Sequence, residues 1–296
     1  MNVIIGATGN IGRRVADGLL AAGKKVRVIG REEARLKRFS EKGAEAVSGS
    51  ADDAAFLTRV FEDAEAVFTM IPTDIRTENF ARYQDVIGEA ISSAITSVNV
   101  PYVVNLSSLG AEHETGTGPV TGLHRQEQRL NQLTDTYVLH LRPTYFMENF
   151  LMSIPLIKTM GINGSAIRAD LPISCIATQD IAEVAVNALL KLNFPERKVR
   201  PLLGPRDYTF AEATRILGQA IGKPDLAYVE FSYEDMEKGL IAAGVSADVA
   251  KTYVELEKAL NDGLITGLNR DAESTTPTTF EQFASVFAAA YERASE

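Results

Sequence analysis

Three glycines at positions 6, 9 and 12 restrict the fold of this chain more than any other feature. They lie between an apolar strand pattern at residues 2–5 and a helical pattern at residues 10–22. In such a strand–turn–helix, the first glycine permits the tight turn, the second lets the backbone approach a phosphate, and the third lets the helix pack on the strand. The helix N-terminus then presents unpaired N–H groups to an anion. The pattern predicts a dinucleotide-binding loop, with the candidate contact residues Gly6, Thr8, Gly9, Asn10, Ile11 and Gly12.

The first half of the chain alternates short apolar runs with segments of helical periodicity. This alternation is typical of a parallel sheet with helices on both faces. After residue 143 the segments become mainly helical, and Thr178 and Thr209 are expected to cap the helices that follow them. We therefore predict an α/β fold, a doubly wound parallel Rossmann sheet with a smaller, mainly helical C-terminal lobe. The expected division is an NAD(P)-binding domain at residues 1–150, to which residues 173–200 return, and a substrate or partner lobe at residues 151–296. The apolar runs occupy residues 3–5, 25–29, 44–47, 64–71, 102–106 and 137–141.

The composition argues against several functional classes. A formal net charge of −9 argues against a nucleic-acid-binding surface, which needs an excess of Lys and Arg. The lone Cys175 excludes an internal disulfide, and His113, His124 and His140 lack ligand spacing, so no metal is expected. No apolar stretch reaches the roughly 18–20 residues that cross a bilayer, and no secretory leader pattern is visible. We expect a cytoplasmic monomer or homodimer that binds neither nucleic acid nor membrane.

The end of the second apolar run indicates which dinucleotide is bound. NAD-binding Rossmann domains carry an acidic residue there, which takes the ribose 2′-hydroxyl. In this chain the run ends in Gly30-Arg31, so the position carries a cation that can hold a 2′-phosphate. The sequence therefore favours NADP(H), with NAD(H) as an alternative. A second interpretation, in which Arg31 is only an exposed turn residue, stays open.

Three further passages accompany the glycine loop: Gly-Ser-Ala-Asp-Asp at 49–53, Ala-Val-Phe-Thr-Met-Ile-Pro at 66–72, and Leu-Arg-Pro-Thr-Tyr-Phe-Met-Glu-Asn-Phe at 141–150. As a set they resemble the NmrA-like family of atypical short-chain dehydrogenase/reductases, which includes triphenylmethane reductase-like and quinone oxidoreductase-like enzymes. The resemblance covers most of the chain. In one departure, Ser50 stands where relatives usually have an aspartate near the adenine.

The resemblance also implies where ligands lie. The cofactor would be bordered by residues at the carboxyl ends of strands, where open α/β sheets bind their ligands. In the passage that borders the nicotinamide and the acceptor, aromatic rings could form a wall for a planar acceptor or belong to the core, and both interpretations stay open. The implied residues are Ile71, Pro72, Ser107, Ser108 and Tyr145 for the cofactor, and Phe146 and Asn149 for the substrate.

The Tyr-x-x-x-Lys pair of ordinary short-chain dehydrogenases is absent. Residues 110–135 contain no tyrosine, and no lysine occurs between Lys42 and Lys158. His124 and Gln128 have the same i, i+4 spacing and would share one helix face. His124 is the candidate catalytic proton donor, with a solvent-facing helix residue as the alternative. The glycine-rich segment 110–122 has the composition of a substrate lid or of a plain loop.

Two functions follow from a dinucleotide loop without that pair. The first is an oxidoreductase that passes hydride to a small-molecule conjugated acceptor such as a quinone or a dye, because such acceptors need little help from a protein acid. The second is a non-catalytic redox sensor that binds NADP(H). A reductase for one specific metabolite ranks third, because it needs a lysine that the expected region lacks.

Overall fold

The computed structural model describes residues 1–266 and 269–294, which form a large parallel sheet and two small sheets. The twelve strands are β1 (Asn2–Ile4), β2 (Val26–Gly30), β3 (Glu45–Ser48), β4 (Ala66–Thr69), β5 (Tyr102–Leu106), β6 (Tyr137–Pro143), β7 (Tyr145–Phe146), β8 (Ile162–Ser165), β9 (Ile173–Ile176), β10 (Arg197–Leu202), β11 (Asp207–Tyr208) and β12 (Ala227–Glu230). The helices are α1 (Asn10–Ala21), α2 (Glu33–Ser40), α3 (Ala54–Phe61), α4 (Phe80–Val98), α5 (Val120–Asn131), α6 (Ile154–Met160), α7 (Thr178–Lys191), α8 (Phe210–Ala220), α9 (Tyr233–Ala242), α10 (Ala247–Asn261) and α11 (Phe280–Arg293), with a 3-10 helix at Met147–Ser153.

The large sheet has seven strands in the order β10-β6-β5-β4-β1-β2-β3, and every pairing in it is parallel. The strand order reverses between β1 and β4, so the connections from these two strands diverge to opposite faces. That divergence opens a crevice at the carboxyl edge of the sheet, where doubly wound folds bind their ligands. The predicted doubly wound Rossmann sheet is confirmed.

Two apolar cores cover the two faces of this sheet. Alternate residues of each strand point to opposite faces, so Ile4 packs with α1 and α7, whereas Val3 and Ile5 pack with α3 and α4. Helix α7 lies directly against α1, and β10 pairs with β6 at the edge of the sheet. The chain therefore returns to the large sheet after residue 177. The domain division at residue 150 stays a prediction.

The C-terminal lobe is built from β11-β9-β7, β12-β8 and helices α8 to α11. Its core is aromatic, with Phe150, Phe210 and Phe280 packed ring against ring at centroid distances of 5.2 and 5.0 Å. Within residues 1–266 and 269–294, no helix is long and apolar enough to cross a membrane.

The two predicted helix caps have different outcomes. Thr209 caps α8 as expected, because its side chain accepts the N–H of Glu212. The prediction for Thr178 is wrong: Thr178 lies inside α7, and its own N–H donates to both carboxylate oxygens of Glu148 at 3.1 and 3.0 Å. A carboxylate from 30 residues away caps α7, and its negative charge also suits the positive end of the helix.

Candidate active site

The glycine loop after β1 forms the tight turn that the sequence predicts. Gly6 has a φ of +73°, and the N–H of Gly9 donates to the Gly6 carbonyl at 2.9 Å. A side-chain carbon built on Gly12 would lie 2.3 Å from that same carbonyl oxygen, so α1 can approach the turn only because residue 12 has no side chain. The loop thus places the start of α1 directly over the carboxyl end of β1.

The N-terminus of α1 is open to an anion. The helix starts at Asn10 after Gly9, no side chain caps it, and no acidic residue lies in its first turn. The first N–H groups of a helix lack partners within the helix and carry its positive dipole end. A pyrophosphate fits this terminus, since nothing in the first turn competes with it.

Arg31 follows β2 and is exposed. In the part of the chain that the structure describes, its guanidinium forms no ion pair or hydrogen bond, whereas its carbonyl accepts the Ser48 hydroxyl at 3.2 Å. Arg35, one turn into α2, instead donates to the Thr8 carbonyl at 3.0 Å and so braces the glycine loop. Among the described residues, Arg31 is therefore an exposed cation without a partner, directly after β2.

A cavity of about 350 Å³ opens at the carboxyl ends of β4, β5 and β6. Its lining is mainly aliphatic and aromatic. Met70 joins it to the glycine loop, because a side chain on Gly6 would collide with the Met70 sulfur. Of the residues singled out from the sequence, Ile71, Ser107, Ser108, Tyr145, Phe146 and Asn149 line this cavity.

Ser107 carries an unsatisfied hydroxyl at the floor of this cavity. Its Oγ is buried and has no hydrogen-bond partner among the described residues, whereas the neighbouring Ser108 Oγ donates to the Leu109 carbonyl at 3.0 Å. A buried polar group without a partner is costly and points to a ligand that completes it. Ser107 thus supports the fit of a bound cofactor or acceptor at the end of β5.

His124 and Pro72 are not among the described side chains that line the cavity. The Nδ1 of His124 lies 2.8 Å from the carbonyl oxygen of Ala111, so this nitrogen carries the proton and donates it to the backbone. Gln128, its partner in spacing, is exposed. In this arrangement His124 ties α5 to the loop before it, and its catalytic role stays a prediction.

The aromatic side chains after β6 line the cavity and also pack in the core of the C-terminal lobe. The ring of Tyr145 lines the cavity and meets Phe150 and Phe210 edge to face at 5.8 and 5.4 Å. Burial raises the pKa of Tyr145 well above its ordinary value, and the nearby Glu257 adds to this effect. The phenol therefore stays neutral at physiological pH and cannot serve as a base.

The glycine-rich loop before α5 is held against α10. A side chain on Gly118 would lie 2.2 Å from the carbonyl oxygen of Thr252, and Thr117 beside it is fully buried. At the start of the loop, Glu112 accepts from Arg142 at 2.9 Å. The contacts fix this loop at both ends, so its role as a lid remains a hypothesis.

The C-terminal third of the chain supplies a wall of the cavity that sequence analysis missed. Tyr253, Leu256 and Leu260 face the cavity from α10, and Arg270 faces it from the segment that follows. Arg270 forms an ion pair with Asp207 and donates from Nε to the Gly204 carbonyl at 2.8 Å. No motif marks these residues, because the spacing along α10 is that of any helix with one apolar face.

A buried polar chain runs across the strands beneath the cavity. The Thr69 hydroxyl donates to Asn105 at 3.0 Å, Asn105 Nδ2 donates to His140 Nδ1 at 3.1 Å, and His140 Nε2 donates to Asn131 at 3.1 Å. These partners require the neutral imidazole with its proton on Nε2. Burial lowers the pKa of His140 to about 4, which keeps the ring in that form.

The described residues contain no cluster of three or more His, Cys, Asp or Glu side chains that could hold a metal ion. Cys175 lies buried in β9, and burial raises the pKa of its thiol far above the ordinary range, so it remains a neutral core side chain. The chemistry of the site therefore depends on the glycine loop, Arg31 and the cavity.

An open helix N-terminus after β1, a cation after β2 and an apolar cavity at the same sheet edge define a Rossmann-fold dinucleotide-binding protein. The particular family is also clear. The chain belongs to the NmrA-like family, whose family model matches residues 2–284.

Individual relatives agree with this family. The chain is 29% identical over 242 residues to the (4-alkanoyl-5-oxo-2,5-dihydrofuran-3-yl)methyl phosphate reductase of Streptomyces griseus, which covers 82% of this chain and 81% of the relative. It is 25% identical over 296 residues to the NAD(P)H azoreductase of Xenophilus azovorans, which covers 98% and 99%. The triphenylmethane reductase of Citrobacter sp., solved with NADP(H), shares the fold with a TM-score of 0.82 at 18% identity, over 97% of this chain and 100% of that one.

Proposed function

We propose that this protein is an NADP(H)-dependent oxidoreductase that reduces an uncharged conjugated acceptor such as a quinone. The observation that carries the proposal is an apolar cavity joined through Met70 to an open phosphate loop. In the described lining of this cavity the two charged residues, Asp207 and Arg270, neutralise each other. The names of two relatives describe reductases, and a structural neighbour was solved with NADP(H). These names support the proposal.

The residues that would hold the cofactor are spread along the sheet edge. The α1 N-terminus would take the pyrophosphate, Arg31 the 2′-phosphate, and Ile71 with Ser107 the nicotinamide end. The bound cofactor supplies a hydride, which is two electrons and one hydrogen nucleus. The chain contributes orientation and an apolar enclosure that keeps the two reactants together.

The charge of the cavity selects among acceptors. Moving an isolated ion from water into an apolar cavity is costly unless an opposite charge or hydrogen bonds compensate it. The Arg270 cation is already paired with Asp207, so neither a cationic dye nor a phosphate-bearing acceptor finds an uncompensated partner in the described lining. A neutral, planar acceptor needs no such partner.

The proton of the reduction need not come from a protein acid. After hydride addition the acceptor is an anion, and one proton from solvent completes the reduced product. Ser107 lines the cavity and its hydroxyl has no partner among the described residues, so a rotation of this side chain would let it donate a hydrogen bond to a developing oxyanion. Tyr145 keeps its proton, so its ring forms part of the cavity wall and its hydroxyl stays neutral.

The test is NADPH oxidation over matched acceptors: neutral quinones, cationic triarylmethane dyes, azo dyes and acceptors that carry phosphate. We expect turnover with neutral quinones and at least tenfold lower kcat/KM with the charged acceptors. Faster turnover of a charged acceptor would contradict the charge argument. Rates equal to buffer with every acceptor, together with tight NADPH binding, would instead favour the redox-sensor function.

A further inference from the structure

Helix α10 bridges the sheet edge and the C-terminal lobe. At its start, Ser246 donates from its backbone N–H to the Ile75 carbonyl at 2.9 Å and from its hydroxyl to the Thr77 carbonyl at 2.6 Å. One residue into the helix, the Asp248 carboxylate accepts the N–H of Phe80 at 2.8 Å. The first turn of α10 is therefore fixed to the segment between β4 and α4.

The other end of α10 is attached to the segment after β8 through two side chains. Glu257 Oε2 accepts the Ala166 N–H at 2.8 Å, and Asn261 Nδ2 donates to the Ala166 carbonyl at 2.7 Å. Between these two anchors, Tyr253, Leu256 and Leu260 form the cavity wall. The position of that wall thus depends in part on Glu257.

Among the residues that the structure describes, no cation pairs with Glu257. The titratable groups near it are Tyr145 from β7 and Tyr228 from β12, both neutral, and Glu230 at the end of β12 also acts on Tyr228. The Tyr228 hydroxyl is already used, since it donates to the Ile167 carbonyl at 2.7 Å and pairs with the Ser165 hydroxyl at 2.8 Å. Among the described residues, Glu257 forms no ion pair, and its one protein hydrogen bond comes from the Ala166 N–H.

Ionisation of Glu257 is therefore unfavourable where the helix lies in place. Burial raises the pKa of Glu257 to about 7 and outweighs the hydrogen bond from the Ala166 N–H, which lowers it. A glutamate in water has a pKa near 4.3. Above neutral pH the ionised carboxylate becomes better hydrated if it leaves its position. Because Glu257 lies on α10, such a movement would also displace the cavity wall that α10 forms.

We propose that Glu257 is a positioning residue for acceptor binding: its neutral carboxyl holds α10 against residue 166, and its ionisation loosens that wall. The acceptor part of this inference rests on the proposed function. The dinucleotide loop and Arg31 lie on other elements, so cofactor affinity does not follow the same titration. The predicted signature is an acceptor KM that depends on pH and an NADPH affinity that does not.

The experiment measures KM for a neutral quinone from pH 5.5 to pH 9 in the wild type, in Glu257→Gln and in Glu255→Gln. Glutamine keeps the acceptor for the Ala166 N–H and cannot ionise, and Glu255 is an exposed residue of the same helix. If only the neutral form binds, KM in the wild type and in Glu255→Gln rises about tenfold between pH 6 and pH 8. In Glu257→Gln it stays flat. Equal pH profiles in all three proteins would overturn the proposal.

A second measurement does not depend on turnover. Hydrogen exchange at the amides of α10, corrected for its intrinsic pH dependence, should speed up about tenfold between pH 6 and pH 8 in the wild type and stay constant in Glu257→Gln. If no acceptor is reduced, the proposed function fails while this exchange still decides the role of Glu257. If Glu257→Gln does not fold, exchange in the wild type and in Glu255→Gln decides it, and a flat profile in both would overturn the proposal.

Discussion

Arg142 and Glu127 form a two-pronged ion pair in which Nε and Nη2 of the guanidinium donate to the two carboxylate oxygens at 2.9 and 2.6 Å. The Glu127 side chain is 3% exposed and that of Arg142 is 15% exposed. The pair joins α5 to β6, and Arg142 also holds Glu112 of the loop before α5. It therefore sets the position of the helix that carries Val120 and Leu123 into the cavity.

Glu127→Ala should destabilise the protein by about 3–5 kcal/mol, because it leaves the partly buried Arg142 without its main partner. Urea unfolding followed by circular dichroism measures the loss. The matched control is Glu234→Ala in the exposed Glu234–Lys238 pair, for which we expect less than about 1 kcal/mol. Similar losses of unfolding free energy in the two variants would show that the Arg142–Glu127 pair stabilises the protein no more than an exposed ion pair does.

The glycines of the phosphate loop should separate stability from binding. In Gly12→Ala the new methyl group would lie 2.3 Å from the Gly6 carbonyl oxygen, so the backbone must move and we expect a loss of about 1–3 kcal/mol. In Gly9→Ala the nearest atom is 3.4 Å away and φ is −90°, so the variant should fold with nearly unchanged stability. Its methyl group blocks the approach of the pyrophosphate, and NADPH affinity should fall at least about tenfold. Normal NADPH titration of Gly9→Ala would contradict the assignment of the loop.

Arg31→Gln should weaken NADPH binding by about 10- to 100-fold, in line with about 1.5–3 kcal/mol for hydrogen bonds to a charged group. NADH, which lacks the 2′-phosphate, should bind the variant as it binds the wild type. Lys24→Gln makes the same charge change at the amino edge of the sheet and serves as the control. Fluorescence titration of the three proteins with both cofactors measures the six affinities. An equal loss for NADH would show that Arg31 does not recognise the 2′-phosphate.

His124→Gln tests the proton donor that the sequence suggested. Because His124 Nδ1 donates to the Ala111 carbonyl and its side chain lies outside the cavity lining, we expect kcat with a neutral quinone to change less than about threefold. A catalytic acid contributes about 10²–10⁴-fold. A kcat decrease in that range, with stability unchanged in urea, would establish His124 as catalytic.

His140 should make stability depend on pH. Burial lowers its pKa to about 4, whereas an unfolded histidine titrates near 6.5, so its stabilising contribution is full above about pH 6.5 and is lost as pH falls toward 4. Between pH 7 and pH 5 the wild type should lose about 2 kcal/mol more than His140→Gln, which does not titrate there. Urea unfolding at the two values measures the difference. Parallel losses would place the acid sensitivity elsewhere.

The sequence predicts the strands and the phosphate loop of this fold because both depend on neighbouring residues. The six apolar runs all correspond to strands of the large sheet. The seventh strand, β10, escaped the pattern since it reads Arg-Lys-Val-Arg-Pro-Leu, with the charges and the proline that are typical of an edge strand.

From the sequence, only those cavity residues that follow the ends of the strands could be predicted. Ser107 and Tyr145 follow strands that the sequence locates, so their place at the carboxyl edge follows from the topology. The α10 wall depends instead on contacts between distant segments, such as Ser246 with Thr77 and Glu257 with Ala166. Local periodicity carries no information about such pairings, and the Glu148 cap on α7 was missed for the same reason.

The two walls of the cavity come from stretches of chain that can change separately. The strand ends that line the cavity lie before residue 150, as do the glycine loop and Arg31 outside it, whereas Tyr253, Leu256 and Leu260 lie on one helix of the C-terminal third. Mutations that reshape this helix can alter the preferred acceptor while the nucleotide loop keeps its sequence. Proteins that descend from one ancestor can thus come to reduce different acceptors through mutations in a single helix. Directed evolution of a new acceptor preference should therefore begin in α10.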